Sequence, residues 1–148
     1  MNYRMIQLTN AAIPAVAENA LIPLGNITRR VCPRTSNCPT FEVMTSLADT
    51  VSITEAGYYR VAYNISAVAG AAGAVSVALL LGGNTVYTGT ATATAAGDTV
   101  NMTIPFMIRT FENCASMPVN LPVSVQLKNT GAALTSGYAD LLIEKAYC

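Results

Sequence analysis

Any catalysis in this chain would have to run without imidazole, because its 148 residues include no histidine. That excludes Ser-His-Asp and Cys-His nucleophilic sites, and His-based zinc sites with them. Carboxylates are then the main acid/base groups. Glu18, Glu42, Asp49, Glu55, Asp98, Glu112, Asp140 and Glu144 are scattered, with no local pair of the kind glycoside hydrolysis needs. Glu42, Asp49 and Glu55 read as rim and turn residues, and Asp98, directly after Gly97, as a turn residue. A phosphate loop is also missing, since Gly82-Gly-Asn-Thr85 opens a strand and not a helix. No dense Asp/Asn cluster offers the oxygen ligands of a calcium site. The expectation is a non-enzymatic protein with no cofactor and no metal.

The cysteines are the other chemically distinctive group. Cys32 and Cys38 share one irregular stretch, Cys114 lies in another, and Cys148 stands last. A zinc ribbon needs two close pairs, and here there is one, spaced too widely. Disulfides suit loop positions, where each restricts the unfolded chain and stabilises by about 2–4 kcal/mol. Cys32 with Cys38 is the first intrachain candidate. Cys114 and Cys148 are candidates to pair with each other or across subunits, and buried or free thiols are the alternative. Disulfides would imply an oxidising, extracellular setting.

The background for these groups is short of charge. Charged residues make up 11% and apolar residues 52%, against about 25% charged in ordinary soluble domains. Eight basic and eight acidic residues cancel, so electrostatic capture of nucleic acid or of an anionic membrane is not expected. Arg29, Arg30 and Arg34 read as a solvated loop or an intersubunit salt-bridge set. A chain so sparse in charge fits outer faces partly covered by copies of itself. Met1 to Asn10 holds no continuous apolar run of the length a secretory signal needs. Val61 to Gly97 carries no charge, but Gly70, Gly73, Gly82 and Gly83 break it at hairpin spacing. Val75, Val77, Leu79 and Leu81 alternate within it, which is strand periodicity and not that of a membrane helix.

The elements follow one grammar from Ala56 onward: β-branched and aromatic runs separated by Gly, Ala, Asn or Asp breaks, which predicts an antiparallel meander. Tyr59, Val61, Tyr63 and Ile65 fall on one face, and Tyr58, Arg60, Asn64 and Ser66 on the other. Strands are expected at Val75 to Leu81, Thr85 to Thr92, Thr99 to Arg109 with Pro105 at an edge or bulge, Val123 to Lys128, and Tyr138 to Ala146. Earlier strands are expected near Tyr3 to Thr9, Ala20 to Leu24, Phe41 to Ser46 and Thr50 to Ile53. Thr28 to Thr40 and Thr110 to Asn120 read as long loops. Eight to ten short strands without a helix predict one all-β domain over 1–148 with a short N-terminal arm, about 1–8. Long early connections favour a Greek-key or jelly-roll β-sandwich.

The segment Ile53-Thr-Glu-Ala-Gly-Tyr-Tyr-Arg-Val-Ala-Tyr-Asn-Ile-Ser66 resembles the turn-plus-strand signature of the tumour-necrosis-factor/complement-type globular head. Val16-Ala-Glu-Asn-Ala-Leu-Ile-Pro-Leu-Gly25 and Tyr138-Ala-Asp-Leu-Leu-Ile-Glu-Lys145 are similar to the opening and closing strands of its bacterial branch, the C-terminal domain of collagen-like spore-surface glycoproteins. The resemblance spans nearly the whole chain and implies a TNF-like jelly roll that forms a homotrimer about a three-fold axis, with Tyr63, Tyr87, Phe106 and Leu142 near that axis. No Gly-X-Y tract precedes the domain, a departure that favours a stand-alone decoration or fibre subunit over a stalk-mounted head. The expected function is structural, on the outside of a phage virion or as a bacterial spore or cell-surface fibre subunit. The expected partners are the chain itself, including head-to-tail polymerisation through the N-terminal arm, and the capsid or cell surface. The alternative is a glycan- or receptor-binding adhesion module that uses the two long loops. The aromatics Tyr58, Tyr59, Tyr63, Tyr87, Phe106 and Tyr138 would serve sugar stacking in that case, and core or subunit-interface packing otherwise.

Overall fold

A computed structural model describes residues 4–31, 41–43, 49–55, 57–109 and 122–147. Ten strands are present among them: β1 (Met5–Ile13), β2 (Asn26–Val31), β3 (Phe41–Val43), β4 (Val51–Ile53), β5 (Tyr58–Ala69), β6 (Gly73–Leu81), β7 (Asn84–Ala93), β8 (Thr99–Arg109), β9 (Val123–Asn129) and β10 (Leu134–Tyr147). They form two antiparallel five-stranded sheets, in the orders β2-β1-β10-β5-β8 and β3-β4-β9-β6-β7. No described residue is helical.

The alternation in β5 is what makes it a two-sided strand. Tyr59, Val61, Tyr63 and Ile65 are fully or almost fully buried, while Arg60 and Asn64 face solvent. Leu8, Leu141, Ile143, Val77, Leu79, Val125 and Leu127 meet them between the sheets. The Tyr63 ring spans this core, and its hydroxyl donates to the Val77 carbonyl of the opposite sheet at 3.0 Å. Phe41 and Tyr59 add an edge-to-face pair with ring centroids 5.9 Å apart, the geometry that aromatic quadrupoles favour.

Between β6 and β7, Gly82 and Gly83 have φ of 61° and 84°. Two consecutive positive φ angles make a two-residue hairpin turn whose twist matches the strands, and glycine takes them without a Cβ clash. This hairpin is the one place where strands adjacent in the later sequence also pair. The expected meander is otherwise overturned: β5, β6, β8, β9 and β10 each pair across long sequence separations, and the connections pass from sheet to sheet. Alternation records which side of a strand is buried and carries no information on its lateral partner.

Two other expectations change. Asn26–Val31 is a strand although Thr28 to Thr40 read as loop, because β2 is an edge exposed along most of its length and shows no apolar period. Ala20 to Leu24, expected as a strand, makes only an isolated bridge between Leu21 and Lys128. The segment is nonetheless fastened to β9: Ile22 N–H donates to Leu127 O, Asn129 N–H to Ala20 O, and Asn19 N–H to Asn129 O. The Asn129 side chain is fully buried at this seam. Its Nδ2 donates to the carbonyls of Ala132 (3.0 Å), Val16 and Ala17 (both 3.3 Å), and its Oδ1 accepts the Gly131 N–H at 3.2 Å. One amide thereby joins the β1–β2 connection to the β9–β10 turn.

Candidate functional site

The carboxylates of the described chain act as fasteners. Asp98 Oδ2 accepts the backbone N–H groups of Thr94 and Ala95, each at 3.0 Å, together with the Thr94 hydroxyl. The Thr94 hydroxyl bond, followed by the two amides, holds the Asp98 carboxyl below its ordinary pKa. Both Asp140 oxygens accept from Gln7 Nε2, at 3.1 and 3.0 Å, and Oδ1 also accepts from the Thr9 hydroxyl. Glu144 pairs with Arg60 at 2.8 Å on the same outer face. Asp49 accepts the Thr50 hydroxyl, and Glu18 is exposed. Glu55 is bonded to Arg4 and Lys145. Among the described residues no group of three or more His, Cys, Asp or Glu side chains is placed to hold a metal ion.

Of the residues expected near a three-fold axis, Tyr63 belongs to the core. Its ring is fully enclosed between its own two sheets. The hydroxyl is spent on Val77 O. Burial pushes its phenol up to about 12, with the Gly89 amide opposing and Tyr87 adding to the rise. Leu142 lies half-buried on the outer face of the first sheet, in a row that runs Gln7, Leu142, Ala62, Pro105 across β1, β10, β5 and β8. Tyr87 is 40% exposed on β7. Phe106 pairs in register with Val61, and its side chain lies outside the described residues, as do Cys32, Cys38, Cys114 and Cys148.

The strand edges differ in how they are guarded. Unpaired edges invite pairing with other chains, and charge, proline or shortness discourages it. β2 carries Arg29 and Arg30, both exposed, with Arg30 donating to the Phe41 carbonyl at 2.6 Å. β3 is three residues long. β8 carries Pro105, whose expected edge position is the observed one. β7 has none of these devices. It runs for ten residues without charge or proline, and Asn84 to Thr88 are exposed in succession, with Val86 at 37% and Tyr87 at 40%. The sequence shows the uncharged stretch but not that β7 within it forms a sheet edge, because edge position depends on the topology. It also missed the Arg4, Glu55 and Lys145 group, whose members are 51 and 90 positions from the shared carboxylate.

Solved structures of low sequence identity share this architecture. The vertex protein P5 of PRD1 is similar at 17% identity with a TM-score of 0.61, over 96% of each chain. The Eiger TNF from S. frugiperda is similar at 10% identity and a TM-score of 0.68, over 97% of this chain and 91% of that one. The globular domain of a zebrafish complement 1qA protein gives 8% identity and 0.66, over 97% and 98%. No protein-family model and no curated protein matches the chain. The likeness shows the fold, a two-sheet all-β sandwich that fits a TNF-like jelly roll. No described helix is long and apolar enough to cross a membrane.

Proposed function

We propose that this chain is a structural protein that works as a homotrimer on the outside of a virion. The β7 edge carries the reading. A long, uncharged edge with exposed Val86 and Tyr87 is a liability in an isolated chain, and it becomes an asset when a neighbouring copy covers it. The outer face of the first sheet supplies a different surface, with half-buried Leu142 and Ala62 between polar rows. Two unlike patches that cover each other make a heterologous contact, which closes into a ring when the rotation is one third of a turn. Tyr87 and Leu142 then lie at the contact.

The low charge of the whole chain supports the same assignment, since a closed ring hides surface that charge would otherwise have to keep soluble. A virion surface is favoured over a spore or cell-surface fibre by the similarity to a protein described as a vertex protein. The cysteines Cys32, Cys38, Cys114 and Cys148 belong to this reading as disulfide staples of an extracellular product.

Light scattering coupled to size exclusion tests it. The expected mass is that of three chains at micromolar concentration, and a mass of one chain refutes the trimer. Electron microscopy of trimers mixed with candidate particles then separates decoration, seen as density on the particle surface, from filament formation.

A further inference from the structure

One carboxylate gathers three distant parts of the chain. Glu55 sits on the crossover that carries the chain from β4 in one sheet to β5 in the other. Its Oε2 accepts from the Arg4 guanidinium and from the Lys145 ammonium, the latter at 3.3 Å. Arg4 immediately precedes β1, and Lys145 lies near the end of β10. The two are joined again through the backbone, where Lys145 N–H donates to Arg4 O at 2.9 Å. The Glu55 carbonyl in turn accepts the Tyr59 hydroxyl at 2.8 Å. The side chains of Arg4 and Lys145 are only 13% and 10% exposed, and that of Glu55 28%. Two nearly enclosed cations therefore share one carboxylate.

We propose that Glu55 is an acid-operated latch: ionised, it clamps the start of β1 and the end of β10 to the β4–β5 crossover, and protonated, it releases that corner while the rest of the sandwich stays folded. A neutral carboxyl no longer offsets the like charges of Arg4 and Lys145, and the charge-assisted bonds that hold the two cations to the crossover weaken. The described groups that face Glu55 are these two cations and the Tyr59 phenol. Burial, then the nearby Glu55 charge, pushes the phenol above its ordinary range, with Arg4 opposing, so it stays neutral throughout. Burial works to raise the Glu55 pKa as well, but the hydrogen bonds from Arg4 and Lys145 and their charges outweigh it, and the net direction is downward. A carboxylate with a lowered pKa in the folded state stabilises above its ordinary value, and that contribution fades as pH falls through the folded one. The latch is shut at neutral pH and opens in acid. It lies within one chain, so it stands or falls separately from the trimer.

Hydrogen exchange of the full chain tests it, with rates corrected for the intrinsic effect of pH. In wild type, amides of Met5–Thr9 and Leu141–Lys145 should lose about fivefold or more in protection, on the order expected for losing one charge-assisted hydrogen bond, between pH 6 and pH 3. Amides of Val75–Leu81 should hold theirs. Glu55→Gln should show the loss already at pH 6, with little further change in acid, and Glu55→Asp should recover part of the wild-type response. Uniform loss across all strands in wild type overturns the latch, and this arm does not depend on any variant folding. Acid fraying that persists unchanged in Glu55→Gln would assign the response to Asp140 or Glu144, the other carboxylates of β10, and overturns it equally.

Discussion

Removing the Asn129 amide should cost more than any other single polar truncation in the described chain. In Asn129→Ala the carbonyl of Ala132 loses a donor at 3.0 Å and the Gly131 N–H loses its acceptor at 3.2 Å. The carbonyls of Val16 and Ala17 lose weaker contacts at 3.3 Å but keep backbone donors from Leu134 and Ala20. Two half-buried groups thus lose a partner, at the low end of about 1–3 kcal/mol each, and truncating the fully buried Asn129 side chain adds the loss of its packing and of the shared bonds. We expect about 3 kcal/mol in total. With a urea slope of about 2 kcal/mol per molar for a domain of this size, the unfolding midpoint should fall by about 1.5 M. Protein concentration must be held fixed, because association adds to apparent stability. Asn64→Ala, at an exposed position on β5, is the control and should move the midpoint by less than about 0.3 M, since surface substitutions stay within about 0.5 kcal/mol. If Asn129→Ala matches that control, the amide is not the seam's fastener and the account of the β1–β2 connection is wrong.

Other substitutions probe separate claims. Tyr63→Phe removes the hydroxyl bonded to Val77 O and should destabilise by about 1 kcal/mol. The raised phenol pKa of about 12, up from 10, means that wild-type stability from this group is complete below pH 10 and is lost as pH climbs toward 12. Urea midpoints should therefore fall more steeply in that window for wild type than for Tyr63→Phe. Gly131→Ala would put a Cβ 2.6 Å from the Ala74 carbonyl and 2.7 Å from the Ser76 amide, so backbone must shift. We expect a loss of at least about 2 kcal/mol, read as a drop in melting temperature. Val86→Lys places a charge on the unguarded β7 edge without disturbing the core. It should leave the circular dichroism unchanged and lower the scattering mass from three chains toward one; an unaltered trimer would remove β7 from the interface.

Legibility in the sequence follows from what each strand touches. β5 and β9 were readable because one side of each meets the core and the other meets solvent or a half-covered face, so Tyr59, Val61, Tyr63, Val125 and Leu127 mark a clean period of two. β2 was not, because a strand exposed along most of its length, as Ile27 and Thr28 are, leaves no apolar period behind. The same alternation that revealed Tyr63 as an inward residue also marks it as sealed by its own chain. Tyr87 and Leu142 face outward or sit half-covered and stay available to a neighbour. The Glu55 group could not be read at all: its three charges are common residues at distant positions, and only the crossover and the adjacency of β1 to β10 bring them together.

The position of β10 has a further consequence for how the protein is made. This strand comes after all the others in the chain, yet it sits at the middle of its sheet, with β1 on one side and β5 on the other. On a ribosome, the β1–β2 and β5–β8 pairs would emerge as two disconnected ribbons, and they stay so until the closing segment slots between them. Late, non-local pairing of this sort is slow, and it leaves incompletely paired strands exposed in the meantime. It also means that the outer face of this sheet is finished only when β10 has paired on both sides.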